Sequence, residues 1–163
     1  MATPVIPPIR LLLQRWGVHP DSHKQPASEV EIGTLPLPPR LILPLQQHAG
    51  APARALVAVG EHVLCGQMIA APGGRVSAPV HAPTSGRVVA IAQLPAPHPS
   101  GLCAEAIVIE PDGNDLAIDF AAVGDPFALS PAEVAERVAE AGIVGMGGAT
   151  FPSAMQLELG RNS

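Results

Sequence analysis

The sequence predicts a mostly β chain, a compact sandwich or barrel followed by one helix. Three observations carry this. The 163 residues include 16 Gly and 20 Pro, about twice the usual share, and that density excludes a helix bundle because Pro breaks helix interiors and Gly weakens them. Between positions 41 and 111 short apolar, β-branched runs recur, each bounded by Gly or Pro, as in folds built from strands of about four to six residues. Only residues 130–142 carry a complete helix signature.

The composition narrows the function. Hydrophobic residues make up 47% of the chain, which excludes wholesale disorder. Aromatics are 2%, with no Tyr, so stacking platforms for bases are missing. The formal charge is −5 and the nine basic residues are scattered singly. No basic patch tracks a phosphate backbone, so nucleic acid is not expected as a partner. The apolar runs Leu11–Leu13, Leu41–Leu45 and Ala55–Val59 are far shorter than the ~18–20 residues of a membrane span. The first residues have neither the basic start nor the apolar run of a secretory signal, and a cytoplasmic location is expected.

Taken in order, residues 1–40 form an extended, Pro-rich N-terminal arm. Its apolar stretch PPIRLLLQRW is read as a single helical turn or a disordered leader, and 16–40 as ordered coil or a linker, since each proline pushes its predecessor into extended geometry. In 41–111 the runs LILPL, ALVAVG, HVLCGQMIA, RVSAPV, GRVVAIA and AIVIEP read as strands. The alternation in Arg87–Ile91 is partial, as in a strand covered on both faces. Leu94–Gly101 reads as a loop, and Pro111–Asn114 as a turn in which Pro presets φ and Gly or Asn supplies φ > 0. Residues 112–129 read as a linker. Ser130 is then the N-cap, Pro131 sits at N1 and Glu133 at N3, completing a capping box. Val134 and Val138 share a face with Ala135 and Ala141 beside them, and Gly142 is the stop. A glycine-rich turn, Ile143–Pro152, follows.

The titratable residues suggest little chemistry by themselves. Cys65 and Cys103 stand far apart and are expected to be buried, reduced thiols. They fall short of the four thiolates of an iron–sulfur cluster. His19 and His23 have the i, i+4 spacing of a helical metal pair, but Pro20 argues against a helix, so surface histidines are expected. His48 and His81 are expected to satisfy loop backbone groups. Asp112, Asp115 and Asp119 lack the ligand density of a calcium loop and are expected to be solvated.

Two elements, Val59-Gly60-Glu61-His62-Val63-Leu64-Cys65-Gly66-Gln67 and Ala82-Pro83-Thr84-Ser85-Gly86-Arg87-Val88-Val89, resemble the paired half-motifs of biotinyl and lipoyl domains. The resemblance implies a barrel-sandwich hybrid domain, two interlocked halves, at 41–111. A carrier of that type presents a Lys at an exposed hairpin tip. The corresponding hairpin here, Ala70–Val76, has none; the single Lys of the chain is Lys24. Arg75 cannot substitute, because its guanidinium stays protonated and is not acylated in this way. The carrier function is thereby excluded. A scaffold or docking module remains, with a non-catalytic relic of a carrier domain as the alternative.

A longer series is more specific. Trp16-Gly17-Val18-His19-Pro20, His23-Lys24, Pro44–Pro52 (PLQQHAGAP), His81–Gly86 (HAPTSG), Pro99-Ser100-Gly101 and Ile107–Gly113 (IVIEPDG) occur in that order. The series resembles the N-terminal portion of the C subunit of the Rnf electron-transport complex, also called the ion-translocating oxidoreductase complex. That resemblance implies a peripheral subunit on the cytoplasmic face of the inner membrane, with the other subunits of the complex as partners. It implies electron transfer between NADH and ferredoxin through FMN and [4Fe–4S] clusters, coupled to ion movement. Ala141–Pro152 (AGIVGMGGATFP) resembles the glycine-rich segment of the same subunit and of the FMN-carrying subunit of respiratory complex I. By that resemblance Gly145, Gly147, Gly148 and Thr150 are cofactor-binding residues for FMN. Glycines let backbone approach a phosphate or a flat ring, and successive N–H groups form an anion nest.

The chain departs from the family pattern at Thr150, where Gly is usual, and at Gln156, where Lys is usual. Residues 130–163 are then the truncated start of an α/β flavin- and NADH-binding domain, and the cluster ligands of the family are not among the residues of this chain. No catalytic residue and no metal ligand is assigned, and the chain alone is expected to catalyse nothing. Its expected role is to dock and to frame the first edge of the flavin site.

Overall fold

Among the described residues, seven strands form two antiparallel sheets. The computed structural model describes residues 23–25, 27–98, 100–120, 124–147 and 149–160. The strands are β1 (Leu41–Pro44), β2 (Arg54–Ala55), β3 (His62–Val63), β4 (Met68–Ala71), β5 (Val80–His81), β6 (Gly86–Pro95) and β7 (Cys103–Pro111). One sheet runs β1-β7-β6-β3 and the other β2-β4-β5. The chain divides into two compact units, 1–35 and 36–163. Within the first, a 3-10 turn covers Ala27–Glu29, with the Ser28 amide donating to the Lys24 carbonyl. The second unit carries all seven strands. PPIRLLLQRW and His19 lie outside the described residues, and His23 is exposed.

The core is aliphatic and drawn from both sheets. Leu45, Val63, Ile69, Val80, Val88, Ile107 and Ile109 are buried together, with Ala53, Ala70 and Ala82 filling the narrow places. β7 is the organising strand. It pairs with β1 from Leu41↔Ile109 to Pro44↔Ala106, and with β6 along its whole length. Ala106, Ile107, Val108 and Ile109 are all buried, so both faces of β7 are covered. Two-sided burial therefore falls mainly on β7. In β6 only Gly86 and Val88 are fully buried. The partial alternation in β6 comes from a bulge, since Val88 pairs with Ile109 and Ala90 with Val108, leaving Val89 without a register partner.

Other expectations need correction. Leu94 and Pro95 belong to β6, and Pro95 pairs with Cys103; the turn closes when the Ala96 amide donates to the Leu102 carbonyl. Proline is tolerated there because it ends a two-stranded ribbon, beyond the reach of β1. ALVAVG contributes only Ala55 to a strand and RVSAPV only Val80. Cys103 is exposed at the start of β7, and Cys65 is half-buried, so the two are not a buried pair.

Two helices follow the sheets. In α1 (Pro131–Glu140) the Ser130 hydroxyl accepts from the Glu133 amide at 3.3 Å, and the Glu133 carboxylate accepts from the Ser130 amide at 2.7 Å. Gly142 takes φ +67°, the left-handed stop expected of it. The buried position of α1 is Ala135, while Val134 faces solvent. A second helix, α2 (Ser153–Gly160), packs against α1 and is not anticipated by the sequence, whose apolar residues there form no one-sided stripe. Ile109→Ala is expected to cost about 2–5 kcal/mol in chemical denaturation, the range for truncating a buried aliphatic. Ile42→Ala, on an exposed position of β1, is expected to cost far less.

Candidate functional site

The glycine-rich segment leaves α1 through Gly142 and returns into α2. The Gly145 amide donates to the Phe151 carbonyl at 2.8 Å, the Ser153 amide to Ile143 at 2.9 Å and the Thr150 amide to Gly147 at 3.1 Å. These bonds close a small loop with Met146 and Gly147 exposed at its tip. A Cβ built on Gly147 meets nothing within 4 Å. The structure thus brings Gly145, Gly147 and Thr150 into one loop, while Gly148 lies outside the described residues. The fit to a flavin is partial. Gly147 offers an open backbone edge on which a flat ring can rest, but the Gly145 and Thr150 amides are already spent on carbonyls within the loop. Gln156, on α2, is exposed and brings no charge.

Thr150 adopts φ +43°, a conformation that costs an L-residue roughly 1–2 kcal/mol and suits a β-branched residue worst. That is a physical reason for glycine at this position. The Thr150 carbonyl accepts from the Ala49 amide at 3.2 Å, which fastens the loop to the barrel.

The hairpin that a carrier domain leaves free is folded down in this chain. The Gly73 amide donates to Ser77 Oγ at 2.9 Å, and that hydroxyl donates to the Ala51 carbonyl at 2.8 Å. A Cβ on Gly73 would collide with the Pro52 carbonyl. The other side of the hairpin lines a cleft of about 190 Å³ with the helical segment: Gly74 and Arg75 opposite Ile143, Pro152, Met155 and Glu158. Arg75 is a cation beside the glycine-rich segment, a placement that its position in the sequence does not reveal.

Three polar nodes hold the surroundings. His48 is 6% exposed. Its Nδ1 faces the Ala49 carbonyl at 3.1 Å and its Nε2 accepts from the Ala78 amide at 3.1 Å, the backbone-satisfying role expected of it. His81, half-buried in β5, has its pKa pushed below the ordinary histidine value by burial, against a backbone hydrogen bond at Glu140. The third node adds to the reading of Asp112 and Asp115 as solvated: both are exposed, and both also accept side-chain hydrogen bonds. Asp112 accepts from the Asn114 amide at 2.8 Å, Ser85 Oγ at 2.7 Å and His62 Nε2 at 2.7 Å. Thr84 Oγ1 donates to Asp115 at 2.8 Å. Thr84 and Ser85 are buried in the turn before β6, so these carboxylates clip the segment following β7 to that turn. The clip continues where the Cys65 amide donates to the Leu116 carbonyl and the Ile118 amide to the Cys65 carbonyl. Donor hydrogen bonds from Asn114, Ser85 and His62 hold the Asp112 carboxyl far below the usual carboxylate range. Among the described residues, no three His, Cys, Asp or Glu side chains gather as a metal site. No described helix is long and apolar enough to cross a membrane.

Residues 14–114 match the family described as RnfC Barrel sandwich hybrid domain. A protein of Rhodobacter capsulatus, named as the C subunit of the ion-translocating oxidoreductase complex, is 50% identical over 152 residues, which is 93% of this chain and 29% of that protein. Proteins of the same name from Pseudomonas aeruginosa and Serratia proteamaculans are 51% and 44% identical over 83% and 90% of the chain. Those alignments cover 18% and 21% of the relatives.

Two substitutions test these nodes. Thr150→Gly is expected to raise the thermal midpoint, because the strain of about 1–2 kcal/mol released exceeds the roughly 0.5–1 kcal/mol entropy cost of glycine; Thr150→Ala keeps the positive φ occupied by a Cβ and brings no such gain. Asp112→Asn is expected to lower stability at neutral pH. Because the folded pKa is depressed, the carboxylate's contribution is complete above about pH 5 and is lost as pH falls through and below its ordinary value near 3.9. Melting curves between about pH 7 and pH 3 are expected to fall more steeply for the native chain than for Asp112→Asn.

Proposed function

The chain belongs to the RnfC barrel sandwich hybrid domain family, and on that premise we propose that it is a docking and framing module of a larger redox subunit. It spans roughly a fifth to a third of the relatives it matches, 18% to 29% of their length. The activity of the whole subunit is accordingly assigned to the longer protein. One observation carries the reading. The hairpin that would present an acyl-carrying Lys has no Lys and is pinned to Ala51 and Pro52, and its outer side lies against the glycine-rich segment. A barrel arranged in that way has its mobile arm converted into a support.

The domain division that fits this role is an arm at 1–40, the barrel at 41–111, a connection at 112–129 and the first part of a flavin domain at 130–163. Gly145, Gly147, Gly148 and Thr150 would form one edge for FMN, with Arg75 the nearby positive charge in place of the lysine absent at Gln156. FMN, where bound, supplies the exchange between a two-electron and a one-electron carrier. The residues of this chain orient its edge and exclude solvent. NADH as donor, [4Fe–4S] clusters held by the rest of the longer protein, the other subunits of the membrane complex as partners and a peripheral position on its cytoplasmic face all belong to this proposal.

The chain mixed with FMN and NADH is expected to leave the flavin oxidised; bleaching of the flavin band would overturn the assignment of catalysis to the longer protein. In a chimera where this chain replaces the matching stretch of the Rhodobacter capsulatus relative, Gly73→Val is expected to displace the hairpin and lower flavin content. Full flavin content in a chimera whose hairpin is demonstrably displaced would remove the framing role.

A further inference from the structure

The turn that closes β7 carries the single Asp-Gly pair of the chain, Asp112-Gly113. Such a pair is chemically labile, because glycine has no side chain to shield its nitrogen. The Gly113 nitrogen attacks Asp112 Cγ, the hydroxyl of the protonated carboxyl leaves with the amide proton as water, and a five-membered imide closes. Water then adds back to either imide carbonyl. One route restores aspartate; the other leaves the main chain running through Cγ, a β-aspartyl linkage of unchanged mass. No oxidant and no co-reactant other than water takes part. Both residues are exposed, with Gly113 at φ +77° and nothing within 4 Å of a Cβ built on it, so packing places no steric bar on the attack. What stands in the way is the hydrogen bonding of the carboxylate. Asp112 Oδ1 accepts from Ser85 Oγ at 2.7 Å and from the Asn114 amide at 2.8 Å, and Oδ2 accepts from His62 Nε2 at 2.7 Å.

We propose that Asp112-Gly113 is a self-modification site, held shut in the folded chain by Ser85 and His62 and opened whenever the segment after β7 lifts from the barrel. The inference goes beyond the framing role and does not depend on it. Ser85 is fully buried and bonds this segment three times. Its carbonyl accepts from the Asp112 amide at 3.2 Å, its hydroxyl donates to the Asp112 carboxylate, and the same hydroxyl accepts from the Leu116 amide at 2.9 Å. Attack requires the carboxyl carbon to turn onto the Gly113 nitrogen, and both of its oxygens are tethered elsewhere. Attack also requires a protonated carboxyl, since a carboxylate is a poor electrophile, and the same donors keep this group ionised. A β-aspartyl link adds one methylene to the main chain and moves the carboxylate onto the α carbon. The donors of Ser85 and His62 then lose the acceptor they now face, and the bonds that follow, Leu116 to Ser85 and Ile118 to Cys65, lose their register. The product therefore accumulates at a rate set by the fraction of chains in which the segment is open.

The whole chain, incubated folded and in denaturant near neutral pH at physiological temperature, tests the site. The linkage is read with an endoproteinase that cuts before aspartate but not before a β-aspartyl residue, and by electron-transfer fragmentation of the peptide. The β-aspartyl product is expected to build up at least about tenfold faster in the unfolded chain, because the folded segment must first open. Ser85→Ala and His62→Ala are each expected to raise the folded rate by about tenfold, the order for losing one hydrogen bond to a charged group. The Ile107 and Ile109 amides, in the core of β7, are expected to keep their exchange protection in both variants. His62 is exposed, so His62→Ala is decisive by itself if Ser85→Ala does not fold. His62→Gln keeps an N–H donor and is expected to return the rate toward that of the native chain. Absence of the product from the unfolded chain would remove the site. Equal rates folded and unfolded would remove the guard. Folded variants that isomerise no faster than the native chain, or a His62→Gln rate equal to that of His62→Ala, would overturn the proposal as well.

Discussion

A shortage of backbone donors shapes this molecule. Twenty prolines in 163 residues remove ladder hydrogen bonds and shorten the strands between them. Pro52, Pro72, Pro79 and Pro83 flank the strands of the smaller sheet, and β2, β3 and β5 reach only two residues each. Side chains complete what the ladders leave open. The Ala78 amide goes to His48, Gly73 to Ser77, Leu64 to Gln67, Leu116 to Ser85 and Asn114 to Asp112. The aliphatic core supplies cohesion, but these bonds decide where the turns lie. No buried side-chain polar atom among the described residues lacks a partner, which is what a network of this kind requires.

The same constraint explains which parts of the structure were legible in the sequence. LILPL, GRVVAIA and AIVIEP became β1, β6 and β7 because they pair over several residues and bury Ile107, Ile109 and Val88. The capping box at Ser130 and Glu133 was legible because it is made within four residues. ALVAVG is as apolar as the others, yet it yields Ala55 alone, since its partners are single backbone bonds such as Leu56 to Ile69 and Gly60 to Val88. The bulge at Val89 and the docking of α2 depend on contacts from distant parts of the chain, and neither leaves a periodic trace. Asp112 looked like an ordinary turn carboxylate because Ser85 and His62, which donate to it, are brought there by the pairing of β3 with β6. In the glycine-rich segment the motif was legible, whereas the internal use of the Gly145 and Thr150 amides was not.

The loop is held by forces of similar size. Thr150 in the left-handed region costs roughly 1–2 kcal/mol, and one backbone hydrogen bond in the folded state is worth about 0.5–1.5 kcal/mol net. The bond from Ala49 to Thr150 therefore about balances the strain at the residue it holds. Here the Ala49 amide ties the Thr150 carbonyl to the barrel, and the His48 ring contacts the Ala49 carbonyl. A glycine at 150 would remove the strain and with it the balance. The threonine makes the position of the glycine-rich loop depend on the barrel beneath it, which is the coupling that the proposed framing role requires.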